Sequence, residues 1–225
     1  MHTHHLCPVT AKEFAVCTPY PHYPLSIVAE RPDCRFSVGI HPYECGNVTE
    51  EMWQTVVKTA SLPQVVALGE CGLDATCPVP MEQQVELFER HIALSEELKK
   101  PLVIHCVKAF DMLISLRRSQ HPTQQWIIHG FRGKPQQAEQ LCRVGFLLSF
   151  GYKYNPDTLK QFRPGEVLLE SDEELQPMDR LYGRVARLWK MHKYLVVGYT
   201  AQKVESVLQP GPMNPKKRKG YGEEL

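Results

Sequence analysis

Residues 65–74 have the sequence VVALGECGLD, and this stretch decides how the rest of the chain is interpreted. Four apolar residues, Val65 to Leu68, lead directly into Gly69 and Glu70. An unalternating apolar run of this length is typical of a parallel strand that is buried on both faces. A carboxylate at the end of such a strand is unfavourable unless it meets a cation or lies at an open rim. The stretch therefore predicts a buried strand that carries a functional glutamate at its end.

Apolar runs with an ionisable residue at their end recur along the chain. The runs FSVGIHP, PLVIHC, QWIIHG and EVLLESD carry His41, His105, His129 and Asp172, and FLLSFG (146–151) is a fifth run without such an end. A single histidine of this kind is more often a buried residue with a satisfied hydrogen bond than a metal ligand. Several together favour a metal site, because parallel strands end together at one edge of a sheet or barrel.

The composition is that of an ordinary soluble domain. The 225 residues are 43% hydrophobic and 23% charged, without an apolar run of membrane-spanning length or a signal peptide, so we expect a cytoplasmic protein. Eight cysteines form no CxxC pair and are expected to be reduced. Residues 1–100 carry 7 Lys/Arg against 13 Asp/Glu, and residues 101–225 carry 19 against 12. The basic second half suits an anionic substrate, although solvated surface charge explains it equally well.

The pattern along the chain predicts strands that alternate with helices. Strands are expected at 1–6, 13–19 and 35–42 and in the five later apolar runs, and Thr49 is the expected N-cap of a helix that ends near Ala60. The other expected helices are at 24–30, 81–100, 108–120, 134–144, 156–162, 178–193 and 200–208. The basic tail 209–225 contains PKKRK and is expected to be disordered.

Eight strands with intervening helices predict an α/β fold, a single-domain (β/α)8 TIM barrel over residues 1–208. From His41 onward the strand ends follow one another at intervals of 21 to 35 residues, near the length of about 30 residues per unit in such barrels. An open doubly wound sheet is the alternative. The first strand is expected to be clipped, because only Met1 precedes His2.

Six ionisable residues are expected to meet at the rim formed by the strand ends. They are His2, His4, Glu70, His105, His129 and Asp172. Four imidazoles and two carboxylates suit two divalent ions such as Zn²⁺ or Mn²⁺. Glu70 is the natural bridge, since a carboxylate has two oxygens. In a closed barrel Asp172 lies beside the first strand and completes one ion with its histidines, while His105 and His129 complete the other.

The same rim predicts hydrolytic chemistry. Two ions about 3.5–4 Å apart generate a hydroxide at neutral pH and stabilise a developing oxyanion. Asp172, as general base, and Glu70 are the predicted catalytic residues. Basic residues follow the later strand ends and are candidates for binding phosphate, although each alone could be an ordinary surface residue: Lys108, Arg132, Lys134 and Lys153.

These motifs resemble the TatD family of metal-dependent deoxyribonucleases, which are amidohydrolase-like enzymes. The matching segments, in order, are H-x-H at 2–4, GIHP at 39–42, GE-x-GLD at 69–74, PLVIHC at 101–106, IIHGFRG at 127–133, SFG at 149–151 and LLESD at 168–172. The resemblance implies a (β/α)8 barrel with two divalent metals (Zn, Mn or Mg) that cleaves DNA, often from an end. It implies metal roles for the six residues above, and it implies that His41 and Asp74 contact either the ligand side chains or the substrate.

Two departures from the family pattern leave the function open. Members usually carry apolar residues and an Asp before H-x-H, and many have Asp-Ala-Pro where acidic residues follow Asp172 here. We expect a phosphodiesterase that acts on single-stranded or frayed DNA ends, with no membrane partner and as a monomer. The alternatives are a barrel hydrolase of small esters, amides or lactones, and a non-catalytic protein whose metal site is spoiled.

Overall fold

The eight strands form one parallel sheet in which each strand pairs with the next along the chain. The computed structural model describes residues 2–6, 15–19 and 24–208. The strands are β1 (His2–Thr3), β2 (Val16–Cys17), β3 (Phe36–Val38), β4 (Val65–Asp74), β5 (Leu102–Val107), β6 (Trp126–Ile128), β7 (Leu147–Phe150) and β8 (Leu168–Leu169).

Contacts between the first and last strands close this sheet into a barrel. Thr3 and Asp172 form a parallel bridge. The backbone N–H of His4 donates to the carbonyl of Asp172 at 3.2 Å, and that of Asp172 donates to the carbonyl of His2 at 3.3 Å. The predicted (β/α)8 barrel is therefore confirmed, and the open doubly wound sheet is excluded.

Helices lie between the strands as expected, with differences at their ends. They are α1 (Ile27–Glu30), α2 (Glu50–Ala60), α3 (Met81–Leu98), α4 (Phe110–Gln120), α5 (Pro135–Val144), α6 (Pro156–Leu159), α7 (Met178–Leu188) and α8 (Lys193–Leu208), with a 3-10 helix at Pro42–Asn47. Thr49 caps α2 as predicted, because its Oγ1 accepts a hydrogen bond from the N–H of Met52 at 3.2 Å. None of the described helices is both long enough and apolar enough to cross a membrane.

The boundaries of the last two helices differ from the prediction of 178–193 and 200–208. The helix α7 ends at Leu188, and α8 already begins at Lys193. Val196, Thr200 and Val204 are buried at a spacing of four residues, which gives α8 one continuous inward face. Because this face is buried along its length, the helix continues through Gly198. The predicted tail 209–225 lies outside the described residues.

Two apolar layers support the barrel. The larger layer lies between the strands and the surrounding helices and includes Phe36, Phe88 and Trp126. The smaller layer fills the barrel interior with one side chain from each of five strands, joined by Val204 of α8: Ala67, Val103, Ile127, Leu147, Leu168. Because those five residues lie at the beginnings of their strands, α8 covers the end of the barrel opposite the strand carboxyl ends.

Gly69 allows β4 to approach β5 more closely than any other residue would. Its φ is +129°, and a Cβ added there would lie 2.2 Å from the carbonyl oxygen of Val103. The register between the two strands shifts between Leu68 and Cys71. Such irregularities re-aim side chains near active sites, and here the residue that follows the glycine is Glu70.

Candidate metal centre

A cavity of about 570 Å³ opens at the carboxyl ends of the strands. This volume is within the range of roughly 300–1,000 Å³ that is common for small-molecule sites. Five of the six predicted ligand residues line this cavity, namely His4, Glu70, His105, His129 and Asp172, and His41 lines it as well. The closed barrel thus brings residues from both ends of the sequence to one cavity.

Glu70 lies at the middle of this arrangement and faces different histidines with its two oxygens. Its Oε1 lies 2.8 Å from Nε2 of His2, 3.0 Å from Nε2 of His129 and 3.4 Å from Nε2 of His4. Its Oε2 lies 3.8 Å from Nε2 of His41. The carboxylate therefore has the position that a bridge between two ligand groups requires.

Three groups of side chains could each hold a cation, since the possible ligand atoms within each group lie within 4.8 Å of one another. The groups are His2, His4, Glu70 and Asp172; His41, Glu70 and His105; and His129, Glu170 and Asp172. The first group has the composition that the sequence predicts. The second contains His41 where the sequence analysis placed His129, and His129 instead joins the third group with Glu170.

Thr18, just after β2, orients the two β1 histidines, His2 in the strand and His4 directly after it. Nδ1 of His4 donates to the carbonyl oxygen of Thr18 at 3.1 Å, and Nδ1 of His2 lies 3.3 Å from its hydroxyl. That hydroxyl is in turn 2.6 Å from the hydroxyl of Ser37. With Nδ1 engaged, Nε2 of each ring is left to face Glu70, as is usual for histidine ligands held by an outer partner. The sequence analysis did not identify Thr18.

Glu170 is a second residue that the sequence analysis missed. It is fully buried, and its Oε1 accepts a hydrogen bond from the N–H of Gly130 at 2.5 Å and lies 3.5 Å from Nδ1 of His129. Its other oxygen accepts from the hydroxyl of Ser149. The signal was present in the sequence, because residues two apart on an extended segment share a face and Glu170 precedes Asp172 by two.

Asp172 combines partial exposure with an unusual backbone. Its side chain is 24% exposed, and its Oδ1 lies 3.6 Å from Nε2 of His4 and 3.9 Å from Nε2 of His2. Its φ of +55° is uncommon outside glycine. Backbone hydrogen bonds to β1 on both sides of the residue hold this conformation. The carboxylate is consequently fixed beside the β1 histidines while one side remains open to solvent.

The cluster of buried carboxylates and imidazoles around Glu70 favours the binding of positive charge. Burial alone would raise the pKa of Glu70, but the imidazoles of His129, His2 and His4 lower it well below its ordinary value. Burial would likewise lower the pKa of His129, yet Glu70 and Glu170 raise it to about 10. His41 behaves oppositely, since burial and the neighbouring His105 lower its pKa to about 4. A proton on His129 or a bound cation satisfies the buried carboxylates.

The buried ligand atoms themselves fit a divalent cation. Nε2 of His2, Oε1 of Glu70 and Nε2 of His129 are buried and have no hydrogen-bond partner of acceptable angle, although Oε1 lies within 3.0 Å of both nitrogens. Such atoms are costly to bury without a partner. A borderline cation such as Zn²⁺ or Mn²⁺ accepts this mixture of imidazole nitrogen and carboxylate oxygen.

The four basic residues predicted to bind phosphate differ in whether they line the central cavity. Lys108 and Arg132 line the central cavity, are exposed, and have no carboxylate within ion-pair distance among the described residues. Lys153 lines an adjoining cavity of about 280 Å³, where its Nζ is 3.4 Å from Glu174. Lys134 is exposed at the start of α5 and lines neither cavity. Two unpaired cations therefore face the centre directly.

A family model described as "TatD related DNase" matches residues 17–208 of the chain. The matched range contains Glu70, His105, His129 and Asp172, and it begins after the two histidines of β1. A match of this extent covers most of the barrel.

Individual relatives agree with the family model. The chain is 32% identical over 127 residues to a 3'-5' ssDNA/RNA exonuclease TatD of Erwinia tasmaniensis, which covers 55% of this chain and 49% of that protein. It is 31% identical over 146 residues to the 3'-5' RNA nuclease TATDN2 of Homo sapiens, covering 60% and 19% respectively. The chain thus spans about half the length of the Erwinia protein.

A solved structure shows the same fold. The crystal structure of YJJV, a TatD homolog from Escherichia coli K12, superposes with a TM-score of 0.75 over 86% of this chain and 85% of that one. The two sequences are 18% identical over this range. At this level of identity the likeness concerns the fold alone.

Proposed function

The chain belongs to the TatD-related DNase family, and from this premise we propose that it is a metal-dependent hydrolase that cleaves phosphodiester bonds of nucleic acid. The observation that carries the proposal is the position of Glu70 between the histidines of β1 and His129 on one side and His41 on the other. A bridging carboxylate between two ligand groups is the arrangement that a two-metal hydrolase needs.

We assign two divalent ions, of Zn, Mn or Mg, to these groups. His2, His4 and Asp172 would hold one ion and His41 and His105 the other, with the carboxylate of Glu70 placed between the two groups. His129, whose Nε2 lies 3.0 Å from Oε1 of Glu70, would be a further ligand. The chemistry that such ions supply when bound is polarisation of a phosphoryl oxygen and acidification of water.

The protein's own residues position the reactants and move the proton. Asp172 is the general base, because its carboxylate is partly exposed beside the ligand histidines and can accept a proton from the attacking water at Oδ1. Lys108 and Arg132 bind the phosphate, since both are unpaired cations on the cavity wall. The planar guanidinium of Arg132 can bind two phosphate oxygens at once.

We propose that the substrate is the end of a single strand or a frayed end. The relatives described above are named as nucleases for ssDNA and RNA. A cavity of about 570 Å³ accepts a nucleotide or two but not both strands of an intact duplex. Two phosphate contacts, by Lys108 and Arg132, give log affinity a slope on log salt of about −1.4 to −1.8, at roughly 0.7–0.9 per phosphate.

The decisive experiment is hydrolysis of a labelled single-stranded oligonucleotide by the purified chain in Mn²⁺ or Mg²⁺, with and without a chelator. We expect stepwise shortening from one end, loss of activity on chelation, and slower attack on a blunt duplex. An Arg132→Glu or Lys108→Glu variant should raise the half-saturating concentration of oligonucleotide while leaving metal content unchanged. Lys58→Glu, on the exposed surface of α2, is the matched control and should behave as wild type.

A panel of small carboxyl esters and lactones assayed beside the oligonucleotide provides the contrary outcome. Faster turnover of one of these compounds than of any nucleic acid, together with charge reversals that leave DNA cleavage intact, would replace the nuclease by a small-molecule hydrolase. If protein with full metal occupancy hydrolyses none of these compounds, the chain is a non-catalytic binding protein.

A further inference from the structure

A second, smaller pocket of about 370 Å³ opens beside the metal centre, on the side of α4 and α5. Three residues line both the pocket and the central cavity, namely Lys108, Phe110 and Gln137. The remaining wall consists of Met81, Ala109, Asp111 and Met112. The pocket therefore adjoins the central cavity, and a molecule bound at the metal centre can extend into it.

The pocket has an aromatic ring held by a rigid support. The ring of Phe110 is half-buried and lies 6.1 Å from that of Phe131, at an interplanar angle of 81°. Phe131 is itself buried and contacts Phe150 edge-to-face at 5.7 Å. With near-perpendicular rings, Phe131 can cover at most one face of Phe110. The aromatic surface that remains lines the pocket and is held in place by the core.

Apolar and polar groups surround this ring in a pattern that fits a flat heterocycle. Met112 is 44% exposed and Met81 is half-buried, so both present flexible apolar side chains. Gln137 supplies an amide that can donate and accept hydrogen bonds at the edge of a ring. Its Oε1 packs closely on Gly133, where an added Cβ would lie only 2.1 Å away. The close approach restricts the position of that amide.

Charge distinguishes this pocket from the one of about 280 Å³ that adjoins the centre near Asp172. That other pocket is lined by charged residues of both signs, among them Arg132, Lys153, Glu173 and Glu174. Here the unpaired Lys108 stands at the boundary with the centre, whereas Asp111 lies within the pocket. A carboxylate repels phosphate but accepts a hydrogen bond from an exocyclic amino group, so the wall favours a neutral ring next to an anion held by Lys108.

We propose that this pocket, formed by Phe110, Met81, Met112 and Gln137, is a nucleobase subsite for the nucleotide next to the scissile phosphate. The base stacks on Phe110 while Lys108 contacts its phosphate. The inference rests on the proposed phosphodiesterase function and adds a residue that sets substrate preference. Stacking on aromatic side chains is tolerant of sequence, because every base has a π-face. The pocket therefore selects strands that carry bases over bare backbone.

The test compares two single-stranded oligonucleotides, one with normal residues and one with an abasic tetrahydrofuran residue introduced at successive positions from the cleaved end. In the wild type, one abasic position should lower kcat/KM by about 5- to 150-fold, the range that corresponds to roughly 1–3 kcal/mol per stacked base. Phe110→Ala should lower kcat/KM for the normal strand by a similar factor and leave the abasic strand within about twofold. Phe110→Tyr should restore the preference, and Tyr194→Ala, on exposed α8, should not alter it.

Two outcomes separate the subsite from the wider proposal. If wild-type protein cleaves neither strand, the phosphodiesterase function itself is wrong. If it cleaves normal and abasic strands with equal kcat/KM at every position, or if Phe110→Ala slows both equally, the subsite is wrong while the function stands.

A binding measurement covers the case in which Phe110→Ala does not fold. Oligonucleotides with 2-aminopurine at successive positions, titrated with metal-loaded Asp172→Asn protein, should show fluorescence quenching at the one position that stacks. Binding detected by anisotropy without quenching at any position contradicts the proposal.

Discussion

Oδ2 of Asp74 lies 2.8 Å from Nε2 of His105, at the end of the strand that carries Glu70. The other carboxylate oxygen of Asp74 accepts hydrogen bonds from the N–H and the hydroxyl of Thr76, at 2.7 Å and 2.5 Å. Burial would raise the pKa of Asp74, but Thr76 and His105 lower it, so the carboxylate remains ionised. A proton on Nε2 donated to Asp74 leaves Nδ1 of His105 available as the ligand atom in the proposed metal site.

Asp74→Asn should weaken metal binding on the His105 side by about 10- to 100-fold, the usual effect of removing the outer partner of a ligand histidine. The amide retains the size of the side chain but no longer fixes the ring through a charged acceptor. Competitive titration against a chelating dye measures the two affinities, and Asp157→Asn on exposed α6 is the control. Unchanged affinities would contradict the role of Asp74 in supporting His105.

Glu70→Gln should lower occupancy of both ions, because one of the two carboxylate oxygens becomes a poor amide ligand. His105→Ala should lower the content of one ion only. Elemental analysis after dialysis gives the number of ions per chain, with Glu51→Gln on the exposed face of α2 as control. Equal metal content in wild-type and Glu70→Gln protein would exclude the bridging role.

Asp172→Asn should lower kcat by about 10²- to 10⁴-fold with little change in KM, the range expected for loss of a general base. The hydrogen bonds between residue 172 and β1 should persist, since they use only the backbone atoms of residue 172. Rates must be compared at matched metal occupancy, because Asp172 is also a proposed ligand. A kcat within twofold of wild type under that condition would assign the base to another residue.

Gly69→Ala should destabilise the protein severely or prevent folding. Its φ of +129° is nearly restricted to glycine, and the new Cβ would overlap the carbonyl of Val103 at 2.2 Å. Gly183→Ala in α7 is the matched control, because an added Cβ meets nothing within 4 Å there. That variant should be stabilised by up to about 1 kcal/mol. Thermal unfolding of the two proteins checks the contrast, and equal midpoints would contradict it.

His91 should contribute acid sensitivity that is unrelated to the metal centre. It is fully buried, its Nδ1 donates to the carbonyl of Leu87 at 2.8 Å, and its Nε2 accepts from the N–H of Ile40 at 3.1 Å. Burial lowers its pKa to about 4 from 6.5. The unfolded chain therefore binds a proton that the folded one does not, and stability is complete above pH 6.5 and falls between there and pH 4.

The variant His91→Gln separates the acid sensitivity that His91 causes from that of the other histidines. Between pH 7 and pH 5, wild type should lose on the order of 2 kcal/mol more unfolding free energy than His91→Gln, as proton linkage requires. Urea unfolding at the two pH values provides the measurement. Parallel losses in both proteins would mean that His91 does not titrate in this window.

Local sequence predicted the strands of this barrel better than the ends of its helices. The buried run Val65–Leu68 and its counterparts identified β4 to β8, because strands buried on both faces have no polar residues to obscure them. The helix α8 was predicted too short, since part of its inward face, at Val204, packs against the apolar layer of the barrel interior. That contact joins residues more than 130 positions apart, such as Ala67 and Val204, and has no local signature.

For the site, the ionisable residues at the strand ends predicted which side chains meet in one cavity. They did not predict how those side chains divide into ligand groups. Sequence cannot show that Oε2 of Glu70 faces His41, nor that Lys153 is paired with Glu174. Both depend on side-chain positions that the order of strands does not specify. Glu170 could have been found from its spacing to Asp172, whereas Thr18 acts through its backbone carbonyl as well as its hydroxyl and offers no pattern to recognise.

The backbone contacts between β1 and Asp172, just after β8, predict that the proposed metal centre assembles late in folding. His2 and His4 are about 170 residues from Asp172 in the chain, yet they belong to one ligand group. Contacts of such sequence separation are slow to form, because loop-closure entropy must be overcome first. Few backbone hydrogen bonds hold these contacts, so an ion that binds only when both edges meet stabilises the closed barrel by mass action. In the proposed metal-dependent enzyme, metal concentration would therefore control how much of the protein is folded and competent as well as the rate of hydrolysis.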